Sequence, residues 1–120
     1  MAFENLNDLE VYRLSMDLGE MIWNEVISWE NLAKYSLGTQ VISAADSIAN
    51  NISEATGRYH YKDRLRFWFF ARGSLFETYT QLTKAVNRSL ITREKYYICV
   101  GILENIKPKM NSIIKSLNSR

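Results

Sequence analysis

The stretch Gln40-Val-Ile-Ser-Ala-Ala-Asp-Ser-Ile-Ala-Asn-Asn-Ile-Ser-Glu-Ala-Thr-Gly57 decides the fold. With Leu37 ahead of it, apolar residues return at Val41, Ala44, Ala45, Ile48, Ile52 and Ala55. Steps of three and four belong to an amphipathic helix and to no strand. The alanines, with Ser43 and Ser47 nearby, would let a neighbouring backbone come close, so this helix is expected at the centre of the packing. Ser36 is its candidate N-cap and Gly57 its candidate C-terminal cap, giving a helix over about 36–55.

Outward from it the same period recurs. Upstream, Leu6, Leu9, Leu14, Leu18, Ile22 and Val26 mark a helix over about 6–29 with an acidic outer face, joined by a connection over 30–35. Downstream, a third helix is predicted over about 61–88, with Ala71, Ser74, Thr78 and Leu82 as a small-residue seam able to face the second. Gly73 in its interior implies a close contact, because glycine there costs up to about 1 kcal/mol relative to alanine. Thr92 is the N-cap of a fourth helix over about 92–117, carrying Tyr96, Val100, Leu103, Ile106, Met110, Ile113 and Leu117. Pro108 lies inside it and predicts a kink or loosened last turns. The fold class is all-α: one domain over 1–120, an antiparallel up-down-up-down four-helix bundle with short connections.

Composition narrows the function. The 120 residues include one cysteine and one histidine, so no internal disulfide, no metal-ligand cluster and no di-metal Glu-x-x-His pair is expected. No glycine-rich phosphate loop is present, Cys99 reads as a small packing residue, and neither enzymatic activity nor a cofactor is expected. The opening Met-Ala-Phe-Glu-Asn-Leu lacks a signal-peptide pattern and no apolar run is long enough to span a bilayer, which predicts a soluble cytoplasmic protein without membrane partners. The net charge of +2 hides an asymmetry. Residues 1–57 hold two basic against nine acidic residues, and residues 58–120 hold thirteen basic against four acidic. A chain of this kind can pair its halves or offer a basic face to a polyanion.

The segment from Gln40 to Arg58, together with Ala71-Arg-Gly-Ser-Leu-Phe-Glu-Thr78, resembles the small four-helix-bundle proteins encoded in intervening sequences of bacterial 23S ribosomal RNA genes. Phe3-Glu-Asn-Leu6 matches that family's opening, Gln40, Ser47, Asn51, Ile52, Glu54, Gly57 and Arg58 its second-helix signature, and Gly73, Ser74 and Glu77 its third. Ile42 and Ser43 depart from a common basic pair, and Ala55 from a glycine. The family includes the accessory variability determinant of diversity-generating retroelements, which assembles as a pentameric barrel and binds a reverse transcriptase and nucleic acid. The resemblance therefore implies self-association, most simply a pentamer, with RNA, DNA, a reverse transcriptase or another nucleic-acid-processing protein as partner.

Read residue by residue, Arg58-Tyr-His-Tyr-Lys-Asp-Arg-Leu-Arg-Phe-Trp-Phe-Phe-Ala-Arg72 interleaves cations with aromatics, the combination that tracks phosphates and stacks bases. Arg58, Lys62 and Arg66 predict one basic stripe. Arg64 and Arg72 join them as candidate nucleic-acid contacts, with Lys84, Arg88 and Arg93 as a second group. The alternative is that these cations face the acidic first helix, in the same subunit or the next, in a protein-binding adaptor that takes no nucleic acid. Phe67, Trp68, Phe69 and Phe70 span about 300° of a helix, so they cannot all enter one core and are assigned to an oligomer interface. Gln40, Ser47, Asn51, Glu54, Ser74 and Glu77 are read as a buried polar network fixing helix register, in preference to an acid-base pair of Glu54 and Glu77.

Overall fold

The structure, a computed structural model, describes residues 2–120, with side chains from Asn5 onward. Phe3 and Glu4 of the family-like opening therefore lie outside the described side chains. Helices α1 (Ala2–Asp8), α2 (Glu10–Val26), α3 (Thr39–Gly57), α4 (Tyr61–Asn87) and α5 (Arg93–Asn118) account for the fold, and no strand occurs among the described residues. The four long helices are the four expected, with two differences in how they begin.

The predicted helix over 6–29 is split at Leu9, whose backbone is extended, so that α1 turns away from α2 and touches both α2 and α3. Asn7 and Asp8 compete for backbone hydrogen bonds and favour such an interruption. Arg13 donates from Nη1 to the Asn7 carbonyl, at 2.7 Å, and satisfies one of the groups the break frees. The predicted connection over 30–35 is instead helical. One turn over Asn31–Ala33 runs into a π-turn over Lys34–Gly38 and on into α3 without interruption. Ser36 consequently caps nothing: its hydroxyl donates to the Leu32 carbonyl. The wide turn brings Gly38 so close to the end of α2 that a Cβ there would lie 2.6 Å from Val26 Cγ1 and 3.2 Å from the Ala33 carbonyl.

Two further glycine readings are corrected. Gly57 is the last residue of α3 with negative φ, and the chain leaves the helix at Arg58 in extended conformation. Gly73 meets nothing within 4 Å of its would-be Cβ, so no close contact explains it. Thr92 does cap α5, its Oγ1 accepting from the Lys95 amide at 3.2 Å. Pro108 is exposed and α5 runs through it, because on the outer side water can satisfy the carbonyl that loses its donor.

α3 packs against α2 and α4, and α5 closes the ring by packing against α4 and α2, so α2 and α4 face each other across the diagonal. Directions follow from contacts between neighbours. Gln40 at the start of α3 meets Gln81 late in α4, at 3.2 Å. Along α4, Tyr61, Arg72 and Thr83 meet Arg120, Asn111 and Tyr96, in descending order along α5. Glu10 and Glu25 of α2 pair with Lys109 and Lys95 of α5. The core is filled by Leu18, Ile22, Ile48, Ile52, Ile106 and Met110, all fully buried, each worth about 1.5–3 kcal/mol of burial. Buried Ser15 and Thr78 are satisfied within their own helices by the carbonyls of Val11 and Ser74.

The two glycines should respond to alanine with opposite signs. Gly38→Ala is expected to lower stability by about 1–3 kcal/mol through overpacking against Val26. Gly73→Ala should raise it by about 0.5–1 kcal/mol by removing backbone entropy from an open helical site. Urea denaturation of the two variants checks both.

Candidate nucleic-acid interface

Because α4 lies diagonally opposite α2, its cations cannot face the acidic outer side of α2 within one chain. The ion pairs that do form across helices to α2 come from α5: Lys95 with Glu25 at 3.0 Å and Lys109 with Glu10 at 3.8 Å. Among the described residues the ion pairs made by cations of α4 and its flanks are local, Arg58 with Glu54 at 3.2 Å and Arg66 with Asp63 at 3.9 Å. Both pairs are substantially exposed, a setting in which an ion pair contributes about 0–1 kcal/mol and leaves the cation available.

The basic stripe expected from Arg58, Lys62 and Arg66 is not continuous helix, since Arg58 precedes α4 in extended backbone. Phe67 restores the neighbourhood. The guanidiniums of Arg58 and Arg66 stand 4.7 and 4.9 Å from its ring centroid, so one half-buried aromatic holds two outward cations. Lys62 is exposed beside them. Arg64 and Arg72 depart from expectation. Arg64 is half-buried and turned back, donating from Nε to the Arg58 carbonyl. Arg72 is tied to α5 by a 2.9 Å bond to Asn111 Oδ1 and covers Phe76. Both point toward the flanks of α4, which the helical angle of residues 64 and 72 dictates once the buried face is fixed by Trp68, Ala71 and Leu75.

Arg120 joins the first basic group unannounced. Its Nη1 donates to the Tyr61 hydroxyl at 2.9 Å and its guanidinium lies 4.9 Å from that ring. No local signal could have found it, because only the antiparallel pairing of α4 and α5 brings residues 61 and 120 together. Lys84, Arg88 and Arg93 form the second group, all exposed, around the opposite end of α4. From Arg66 to Lys84 the helix rises about 27 Å. Between them the outer face carries Phe69, Phe70 and Phe76, each about half exposed, with Gly73, Glu77 and Thr80 exposed among them. Of the four aromatics assigned to an interface, Trp68 belongs to the chain's own core and Phe67 is occupied by the two arginines. Phe69 and Phe70 remain.

The polar residues do not form a buried network. Glu54 and Glu77 are exposed, Gln40 is exposed and reaches Gln81, Asn51 bonds the Ser47 carbonyl of its own helix, and Ser74 serves Thr78. The apolar and alanine positions fill the core, leaving the polar ones at its edges. In the register set by Gln40 and Gln81, Glu54 stands level with Phe67, about ten residues or ~15 Å along α4 from Glu77. That separation removes an acid-base pair built on these two carboxylates. Among the described residues no group of histidine, cysteine, aspartate and glutamate could hold a metal ion.

The opposite edge of the bundle is acidic. Where α2 meets α3, burial and then the charge of Glu20 raise the Asp46 carboxyl above its usual range. Met16 and Trp23 are exposed on α2. Each chain is thus polarised across its diagonal, acidic on α2 and basic at both ends of α4.

The described chain is all-helical, with exposed aromatics along one helix and cations at both of its ends. The chain belongs to the family described as 23S rRNA-intervening sequence protein, which it matches over residues 7–118. It is similar to a crystal structure of a protein of unknown function from the S23 ribosomal protein family of Bacteroides thetaiotaomicron VPI-5482, at 26% identity and a TM-score of 0.81. That match covers 88% of this chain and 95% of the other. No curated protein matches the chain. No helix among the described residues is long and apolar enough to cross a membrane.

Cys99 is buried, and burial followed by the charge of Glu25 pushes its thiol above the ordinary value of 9.0. It should react with iodoacetamide about a thousandfold more slowly in the folded protein than in urea, if only global opening exposes it. The sign of its pH effect is fixed: above about pH 9 the unfolded thiol ionises while the folded one stays protonated, so stability falls as pH rises. Denaturation of Cys99→Ala over the same pH range should lack that decline.

Proposed function

We propose that the chain is a non-catalytic scaffold that assembles with copies of itself and binds structured nucleic acid through the basic ends of α4. The observation that carries this reading is the diagonal placement of α4, which leaves Lys62, Arg66 and Lys84, with Arg58 and Arg88 at its flanks, away from the acidic helix, while exposed Arg93 begins α5 beside the second group. Two cationic groups separated by an aromatic strip suit a partner that presents phosphates at both ends of a span of roughly one helix length. The family, named for an intervening sequence of 23S rRNA, makes RNA the first ligand to try. A nucleic-acid-processing protein such as a reverse transcriptase, and a cytoplasmic setting, belong to the same reading.

Self-association uses the middle of α4. Phe69, Phe70 and Phe76 are exposed aromatics of the kind that mark a protein interface, and exposed Met16 and Trp23 on α2 offer them an apolar counterpart; the carboxylates of α2 complement the basic ends of α4. A contact from one face to the other is heterologous, and heterologous contacts close into a ring where the rotation between copies closes. By family resemblance the ring has five members. The second reading, a protein-binding adaptor whose charges serve assembly alone, draws on this same complementarity.

Two experiments separate them. Lys62→Glu with Arg66→Glu should weaken binding to structured RNA and lower the slope of log affinity against log salt by about 2, if each cation contacts one phosphate. Unchanged binding, or none by the natural sequence at low salt, favours the adaptor. Phe69→Asp with Phe70→Asp should yield a monomer by light scattering with helix content intact by circular dichroism. An oligomer of unchanged mass would sink the aromatic interface.

A further inference from the structure

The turn between α4 and α5 encloses a cleft of about 810 Å³, within the range of ligand sites. We infer that this cleft receives one unpaired nucleotide of a structured RNA, its base stacked on Tyr97 and its phosphate held by Arg93. The inference rests on the nucleic-acid reading above and adds a site to it.

The lining has the chemistry of a base pocket. Its apolar floor is Val86, Leu90 and Ile91. Above it stand uncharged groups able both to donate and to accept: the Thr83 and Tyr96 hydroxyls, 2.9 Å apart, with Asn87 and Ser89. An apolar peptide side chain seated there would leave Asn87 and Ser89 without partners, whereas Thr83 and Tyr96 already bond each other and Thr83 donates to the Tyr79 carbonyl. A nucleobase edge can satisfy Asn87 and Ser89. Tyr97, 66% exposed, stands on the rim beside Tyr96 with the two ring centroids 5.5 Å apart, and offers a face for stacking. Bases stack on aromatic side chains when RNA presents them unpaired, in loops and bulges, and a paired helix keeps them inaccessible.

Electrostatics agree with a phosphate at the mouth. The one carboxylate lining the cleft, Glu25, is paired with Lys95 at 3.0 Å, which offsets its repulsion of an anion. Arg93 lines the cleft, and Lys84 and Arg88 lie exposed at the same end of the bundle. The turn is shaped by Ser89, the one non-glycine residue with positive φ among those described, at 59°. The Leu90 amide folds back to the Ala85 carbonyl at 2.9 Å, so the chain reverses while Asn87 and Ser89 line the opening. This is the C-terminal cap of α4, with Ser89 in the left-handed position that glycine commonly takes.

The test compares a hairpin RNA bearing 2-aminopurine in its loop with a fully paired duplex of equal length. Each is titrated with the natural protein, Tyr97→Ala and Tyr97→Phe, with oligomer mass checked by light scattering. Tyr97→Ala should weaken hairpin binding about 5- to 100-fold and abolish the fluorescence quenching, while duplex binding holds and Tyr97→Phe behaves as the natural protein. Should Tyr97→Ala alter the helix content, Asn87→Ala carries the same hairpin-against-duplex comparison. Equal loss on both RNAs, or no loss on either, overturns the nucleotide site and leaves the basic ends of α4 standing. Failure of the natural protein to bind either RNA at low salt overturns both readings.

Discussion

The close contact of α3 with α4 is the constraint on which the rest of the structure depends. Ala44, Ala45, Ala49 and Ala55 on α3, and Ala71, Thr78 and Ala85 on α4, are all buried, and these two helices share the most extensive interface in the bundle. Small side chains let helix surfaces approach until packing is dense, and a larger residue at any of these points would force the pair apart. With α4 held against α3 and short turns on either side, α5 has one place to go, beside α4 and back onto α2. The diagonal placement of α2 and α4 follows, and with it the separation of acidic and basic surface. The charge distribution is thereby a consequence of where small residues fall along α3 and α4.

Much of this was legible. The four long helices, the Thr92 cap, the buried Cys99 and the seam of α4 all follow from period and capping chemistry. The misread places share a cause, in that each depends on a contact between residues distant in sequence or on a local geometry with no propensity signature. A π-turn over Lys34–Gly38 looks like a connection because its residues are not periodic, and it forms because Gly38 can sit against Val26. Gly73 was given a reason where there is none in the packing. The break at Leu9 interrupts a stripe whose period continues across it, so periodicity alone could not reveal it.

The candidate interface was partly legible for the same reasons. Alternation of cations and aromatics marked a segment that the structure leaves largely at the surface, but a sequence gives an angle on a helix and not the identity of the neighbour. Arg64 and Arg72 have the same charge as Lys62 and Arg66, yet their positions turn them toward other parts of the bundle. Glu54 and Glu77 looked like partners because each carries a family signature, and the antiparallel register holds them about ten residues apart. Arg120 and the lining of the cleft at the opposite end became visible only when α4 and α5 were laid side by side.

The division of α4 into basic ends and an aromatic middle reconciles two demands that would compete on a uniform surface. A strip used for self-association is desolvated and cannot also hold phosphates, whereas cations displaced to the ends stay in water when the middle is covered. A single copy offers only a few exposed cations at each end, each worth little at physiological salt. Copies joined through their middles would align those ends into larger basic surfaces, and linked sites raise apparent affinity without any new contact, provided the geometry lets them engage together. On the proposed function, oligomerisation would be the step that turns a weakly charged module into a nucleic-acid binder, and the net charge of +2 would be no objection to that role because the cations stand at the ends of α4, apart from the acidic surface of α2.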